Sequence, residues 1–210
     1  MKTLLQLRTS LLSDDGQSSR LAARFVAAWR AANPGGTLID RDLAREPIPH
    51  LTAERFQAFL AKPEARTPEQ QAVAGHSDVL IEELRRADVI VIGLPLYNFG
   101  VPSTLKAYFD HVARAGETFR YTEKGPVGLL KGKKAYVFAT RGGLYAGTAR
   151  DTQTAYVRDF LNFLGIEEVE FVYAEGLAMG DERKSVALEE AGRAIQRIAQ
   201  RDLAPLAAAA

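Results

Sequence analysis

The sequence predicts a doubly wound α/β fold: a five-stranded parallel sheet in the order 2-1-3-4-5 with helices on both faces. Strand-like and helix-like segments alternate from end to end, and each connection is long enough for a crossover. The run Asp88-Val-Ile-Val-Ile-Gly-Leu94 is almost uniformly apolar and β-branched, which suits a central strand covered on both faces. Three strand ends open onto loops of hydroxyls, aromatics or glycines, as a ligand-holding sheet edge requires. At 210 residues with nothing like a linker, residues 1–210 are expected to form a single domain.

Lys2–Arg8 reads as the first strand, too short and too soon followed by Ser13-Asp-Asp15 to be a secretory leader. A helix is expected over Ser18–Ala32, where Leu21, Phe25, Ala28 and Trp29 recur at helical spacing, and Asn33-Pro-Gly-Gly36 stops it. Thr37–Leu43 alternates in character, as an edge strand does. After the loop Pro47-Ile-Pro49, helices are expected at Thr52–Ala61 and Pro68–Ala87. The strand Asp88–Leu94 follows. Pro95 ends it, Pro102 suits the first turn of the next helix, and the N–H groups of residues 95–101 are left free for a ligand.

The segment Gly116–Gly125 alternates aromatic and polar residues and suggests an excursion off the sheet. Lys133–Thr140 is the fourth strand, Thr152–Leu164 an amphipathic helix stopped by Gly165, and Glu168–Ala174 the fifth strand. Asp181–Arg201 is the closing helix, with Asp181 as its N-cap. The tail Ala207–Ala210 is expected to be disordered.

Composition removes several classes of function. A net charge of +1 with scattered Lys and Arg gives no footprint for nucleic acid. The chain has no cysteine, hence no thiolate metal site or thiol nucleophile, and its three histidines (His50, His76 and His111) do not suggest a metal cage. No window approaches the ~18–20 apolar residues of a membrane span. A cytoplasmic location is expected.

The candidate site is the carboxyl edge where the first, third and fourth strands end. Ser10, Gly16, Gln17, Ser18 and Ser19 run into a helix N-terminus, which favours an anion such as a phosphate; the same residues also read as an ordinary helix cap. Neither G-x-G-x-x-G nor G-x-x-x-x-G-K-[ST] occurs, so a monophosphate held by hydroxyls fits better than a dinucleotide or P-loop ligand. Leu96, Tyr97, Asn98 and Phe99 offer an aromatic wall, or a lid over the sheet edge. Thr140, Arg141, Gly142 and Gly143 allow close backbone approach, or form a plain turn. Phe119 and Tyr121 would wall a pocket or a dimer contact. His111 reads as structural, and Lys106 with Asp110 as a helix-surface pair.

The stretches Pro95–Asp110, Val112–Pro126, Thr140-Arg-Gly-Gly143 and Phe171–Gly176 resemble the FMN-dependent NADH azoreductases and quinone reductases of bacteria, over nearly the whole chain. The resemblance implies a flavodoxin-like fold, a homodimer and non-covalent FMN. Ser10 and Gly16-Gln17-Ser18 would hold the phosphate, Leu96–Phe99 lie along the flavin, and Thr140–Gly143 meet its polar edge. The partner subunit would complete the site, with Phe119 and Tyr121 among its walls. Two positions depart from the family pattern, which often has serine where Gly16 stands and methionine where Leu96 stands.

The activity implied is ping-pong reduction of quinones and aromatic azo compounds, with a hydride from NADH passing through the flavin and no protein nucleophile required. Arg24, Arg141 and Arg183 are the candidates to meet a 2′-phosphate if NADPH were used; NADH is expected from the resemblance. The alternative function is a flavodoxin-type electron carrier that docks on proteins. Such carriers are usually acidic and shorter, unlike this chain.

Overall fold

The structure, a computed structural model, describes residues 1–203. The expected tail Ala207–Ala210 lies outside the described residues. Five parallel strands form the main sheet: β1 (Thr3–Arg8), β2 (Thr37–Asp42), β3 (Val89–Pro95), β6 (Lys134–Thr140) and β7 (Glu168–Ala174). Their order is β2-β1-β3-β6-β7, which is the expected 2-1-3-4-5 in sheet strands, with β2 at an edge. A separate antiparallel hairpin, β4 (Phe119–Thr122) and β5 (Gly125–Gly128), forms the excursion off the sheet.

The helices are α1 (Gln17–Ala32), α2 (Ala53–Leu60), α3 (Pro68–Arg86), α4 (Ser103–Val112), α5 (Thr154–Leu164) and α6 (Asp181–Asp202). Strand side chains alternate between faces, and the core divides accordingly. Leu4, Val91, Tyr136 and Phe138 point to the layer of α1 and α6, where they meet Phe25, Trp29 and Ile195. Leu5, Leu7, Ile90, Ile92 and Val137 point the other way, onto Leu80, Phe109 and Leu161 of α3, α4 and α5. Both faces being covered explains why β3 is apolar throughout.

Local signals set most boundaries. Thr67 and Gln70 form a reciprocal capping box ahead of α3, with Pro68 at its first position. Gly165 closes α5 as expected, at a φ of 100°. Asp181 is not the N-cap of α6: Gly180 takes that position, at a φ of 106°, and Asp181 is the first helical residue, where its charge complements the dipole. No helix of the described residues is long and apolar enough to cross a membrane.

Candidate active site

From β1 the chain leaves for β2 on one side of the sheet, and from β3 it leaves for β6 on the other. A crevice is thereby left at the carboxyl ends of β1 and β3. The loop after β1 is tied across it: Thr9 Oγ1 donates to the Gly93 carbonyl of β3 at 2.7 Å. Ser10 Oγ accepts the Leu12 N–H at 3.2 Å and lies 3.3 Å from the Tyr97 hydroxyl, which also accepts the Leu11 N–H at 3.3 Å. Loop and aromatic turn are therefore one hydrogen-bonded unit.

Ser13–Asp15 adds a short 3₁₀ turn that periodicity did not reveal. It is anchored by a hydrogen bond from Ser13 Oγ to Asp42, whose carboxylate also accepts the Ala44 and Arg45 N–H groups at 2.9 and 3.3 Å. Burial works to raise the Asp42 pKa, but these hydrogen bonds and the nearby Arg8 charge outweigh it and hold the group below its ordinary value.

Helix α1 opens at Gly16, with no side-chain cap bond. Its first-turn N–H groups have no intrahelical acceptor. Beside them Ser18 and Ser19 are buried, and the hydroxyl of each has no hydrogen-bond partner among the described residues. Buried hydroxyls left unpaired at a helix N-terminus are the donor set an anion needs. Glycines make room for this arrangement. A Cβ on Gly93 would sit 3.0 Å from the Ser18 carbonyl oxygen, and one on Gly16 would sit 2.5 Å from Ser10 Cβ and closer still to its Oγ.

The turn after β3 is tighter than expected. Tyr97 and Gly100 exchange both backbone hydrogen bonds, at 3.3 and 2.9 Å, around Asn98 and Phe99, whose φ angles are 49° and 61°. Two successive residues at positive φ mark the mirror-image two-residue turn, which a phenylalanine adopts only at a cost of ~1–2 kcal/mol. The expectation that all N–H groups of 95–101 are free is corrected accordingly. Leu96 donates to Thr140, Tyr97 and Gly100 to each other, and among the described residues Asn98 and Phe99 have no backbone acceptor. The Phe99 ring stands 53% exposed and meets Tyr145 edge-on at 5.6 Å, joining this turn to the loop after β6.

In that loop Thr140 is buried and the N–H groups of Gly142 and Gly143 donate to no backbone carbonyl of the described residues. Arg141 does not offer its guanidinium to a ligand. The side chain is fully buried, lies over the Tyr173 ring, and pairs with Asp151 at 2.8 Å, Thr154 at 2.9 Å and Glu175 at 3.1 Å. Glu175 in turn accepts the Tyr145 and Ala146 N–H groups at 2.9 Å each. Arg141 thus shapes the loop from behind, and its backbone is what remains for the crevice. Asp151 is lowered in pKa: burial opposes this, but the hydrogen bonds from Arg141 and Thr154 prevail.

The structure brings together Ser10, Gly16, Gln17, Ser18, Leu96–Phe99 and Thr140–Gly143. It does not bring Phe119 and Tyr121 to them. The hairpin joins the end of α4 to the start of β6, and Leu130 N–H donates to Leu164 at the end of α5, so it lies at the amino-terminal edge of the sheet. There Phe119 is buried against Phe163, with ring centroids 4.3 Å apart, while Tyr121 is 74% exposed. Of the arginines considered for a 2′-phosphate, Arg24 lines a groove between α1 and α6, and Arg141 is committed to its carboxylates. Only Arg183, exposed beside Gly176 and Leu144, stands near the crevice without a carboxylate partner among the described residues. His111 is fully buried with its Nδ1 2.9 Å from the Ala107 carbonyl oxygen, and Lys106 pairs with Asp110 at 2.5 Å; both read as structural. Sequence reasoning missed Gln153, which lies ahead of α5 and outside every strand-end loop, and Glu175, which follows directly on β7 but whose partners across the loop are set only by the folded sheet.

Residues 2–199 match the model of a family described as having a flavodoxin-like fold. An FMN-dependent NADH:quinone oxidoreductase of Cellvibrio japonicus is 56% identical over 187 residues, 89% of this chain and 94% of the relative. One from Alcanivorax borkumensis is 54% identical, over 88% of this chain and 93% of its own. Among solved structures, an FMN-dependent NADH-azoreductase from Bacillus anthracis in complex with FMN superposes with a TM-score of 0.84 at 30% identity, covering 95% of this chain and 100% of that one.

Proposed function

As this chain belongs to the flavodoxin-like family of FMN-dependent NADH:quinone oxidoreductases, we propose that it uses FMN and NADH to reduce quinones and aromatic azo compounds. The observation that carries this onto the chain's own residues is the pair of buried, unpartnered hydroxyls of Ser18 and Ser19 at the start of α1. They suit a phosphate, and no other group of the described residues answers them. Ser10, Gly16, Gln17 and Ser18 would hold that phosphate. Leu96–Phe99 would lie along the flavin ring, with the Asn98 and Phe99 N–H groups available to it, and the Thr140–Gly143 backbone would meet its polar edge. The chemistry that bound FMN supplies is two-electron transfer, hydride in from NADH and electrons out to the acceptor.

The protein's part is to bind, orient and shield. Exposed apolar side chains on the crevice loops, Leu11, Leu12, Phe99 and Leu144, offer a slot for flat rings that a buried scaffold would not leave open. We read residues 1–210 as one FMN-binding unit, active in the cytoplasm as a homodimer. What supports the dimer is Tyr121, exposed on a hairpin with Phe119 packed on Phe163 behind it: a second copy can bring to the crevice a hairpin its own protomer holds at the far edge. An electron carrier is not favoured, since relatives over nearly the whole chain are named as oxidoreductases.

The test is gel filtration after incubation with FMN, then stopped-flow mixing with NADH. Stoichiometric flavin absorbance and fast bleaching by NADH alone are expected; a colourless protein would overturn the proposal, and inertness to NADH would return it to the carrier class.

A further inference from the structure

The 95–100 turn is held from behind by two consecutive side chains at the start of α5. Gln153 is fully buried, and its Nε2 donates to the Pro95 carbonyl at 2.9 Å and the Gly100 carbonyl at 3.3 Å. Thr152 Oγ1 donates to the Phe99 carbonyl. The amide can sit only one way round, because the flipped form would set Oε1 against two carbonyl oxygens. In the orientation adopted, Oε1 is buried without a partner among the described residues, a cost that a merely convenient packing residue would not carry.

These contacts have a geometric consequence. Pro95 ends β3 two residues before the turn, Gly100 closes it opposite Tyr97, and Phe99 is its second central residue. Holding the carbonyls at 95, 99 and 100 fixes the planes of three peptide units. Between them the chain keeps Asn98 and Phe99 at positive φ, with their N–H groups unspent. We propose that Gln153, assisted by Thr152, is a positioning residue for the flavin: it clamps the turn so that the Asn98 and Phe99 N–H groups are aligned before the cofactor arrives. This rests on the proposed FMN site. Donors fixed where negative charge accumulates stabilise the reduced ring more than the oxidised one, and pre-alignment avoids reorganisation at that step. The clamp therefore acts on the reduction potential of bound FMN as well as on affinity.

The experiment compares wild type, Gln153→Ala and Thr152→Ala, each loaded with FMN. It reads the FMN dissociation constants of the oxidised and reduced forms, the two-electron potential, the visible flavin spectrum and the apoprotein Tm. For Gln153→Ala, reduced FMN is expected to lose about tenfold more affinity than oxidised FMN, equivalent to a potential about 30 mV more negative, with a shifted flavin band. Thr152→Ala is expected to move the potential the same way by a smaller amount. A fall in Tm with potential and spectrum unchanged would make Gln153 a structural residue only and overturn the inference. Should Gln153→Ala fail to fold, Thr152→Ala decides, an unchanged potential overturning the clamp. Wild type that binds no FMN would instead defeat the functional reading itself.

Discussion

Two residues at the crevice carry consequences that can be measured singly. Gly16 has φ −66° and ψ 137°, a backbone any residue adopts, so its need for glycine is steric. A serine there would press on Ser10 at 2.5 Å and turn its hydroxyl from Tyr97 and the Leu12 N–H, so a hydroxyl gained at 16 is offset at 10. Gly16→Ser is expected to lower the apoprotein Tm and weaken FMN binding severalfold, and Ser10→Gly to restore most of the Tm but not the FMN affinity, since it removes a hydroxyl from the proposed phosphate site. A double-mutant cycle by thermal melts should show a coupling of ~1 kcal/mol or more. Arg141 is the second case. Removing it as Arg141→Gln leaves Asp151 and Glu175 facing each other without their cation, a loss of ~3–5 kcal/mol readable by urea unfolding. Asp151 and Asp42 also set an acid limit. Their folded pKa values lie below the unfolded ones, so the unfolded chain binds more protons in acid. Their stabilisation is complete above the ordinary carboxylate range and is lost as pH falls through the folded values. Calorimetric Tm should hold level above pH ~5 and drop below ~4, and Asp151→Asn should flatten part of that drop.

At the scale of elements, the turn 97–100 shows how a strained loop is kept. Its two positive-φ residues are neither glycine, and the strain is opposed by Gln153 and Thr152 from α5 and by the Phe99–Tyr145 contact. Phe99→Gly should relieve ~1–2 kcal/mol of strain while forfeiting an aromatic pair worth ~0.5–1.5 kcal/mol. The apoprotein Tm should therefore change little. FMN affinity should nonetheless fall, because the exposed ring is lost from the cofactor side; a titration monitored by flavin fluorescence separates the two. The same turn marks where the sequence stopped being informative. Pro95 and Pro102 announced that the chain left the strand, but which N–H groups stay free depends on Tyr97 pairing with Gly100. That pairing in turn depends on Gln153, more than fifty residues away. Arg141 failed for a like reason: its neighbours Thr140, Gly142 and Gly143 are local, whereas Asp151 and Glu175, which draw it inward, meet it only in the folded sheet.

For the whole molecule, the topology was readable because the pattern is carried by strands covered on both faces and by turns at every junction, so Asp88–Leu94 could only be central. Phe119 finds its place on Phe163, whereas nothing in the described residues covers Tyr121. The hairpin lies at the amino-terminal edge of the sheet, with Tyr121 exposed and Val127 and Leu129 beside it open to solvent as an apolar outcrop. If two copies pack about a twofold axis, each hairpin serves the crevice of the other, and the two defects become separable. A crevice-dead variant, Ser18→Trp, and a hairpin-dead variant, Tyr121→Ala, should each be nearly inactive as pure dimers, Tyr121→Ala keeping its FMN. On mixing and subunit exchange, about half the dimers are mixed, and each mixed dimer owns one crevice and one hairpin that are both intact and opposed. About a quarter of the wild-type sites should return, measured as NADH-driven benzoquinone reduction. Recovery requires a site shared between subunits, whereas a pocket built within one protomer would leave the mixture as inactive as its parts.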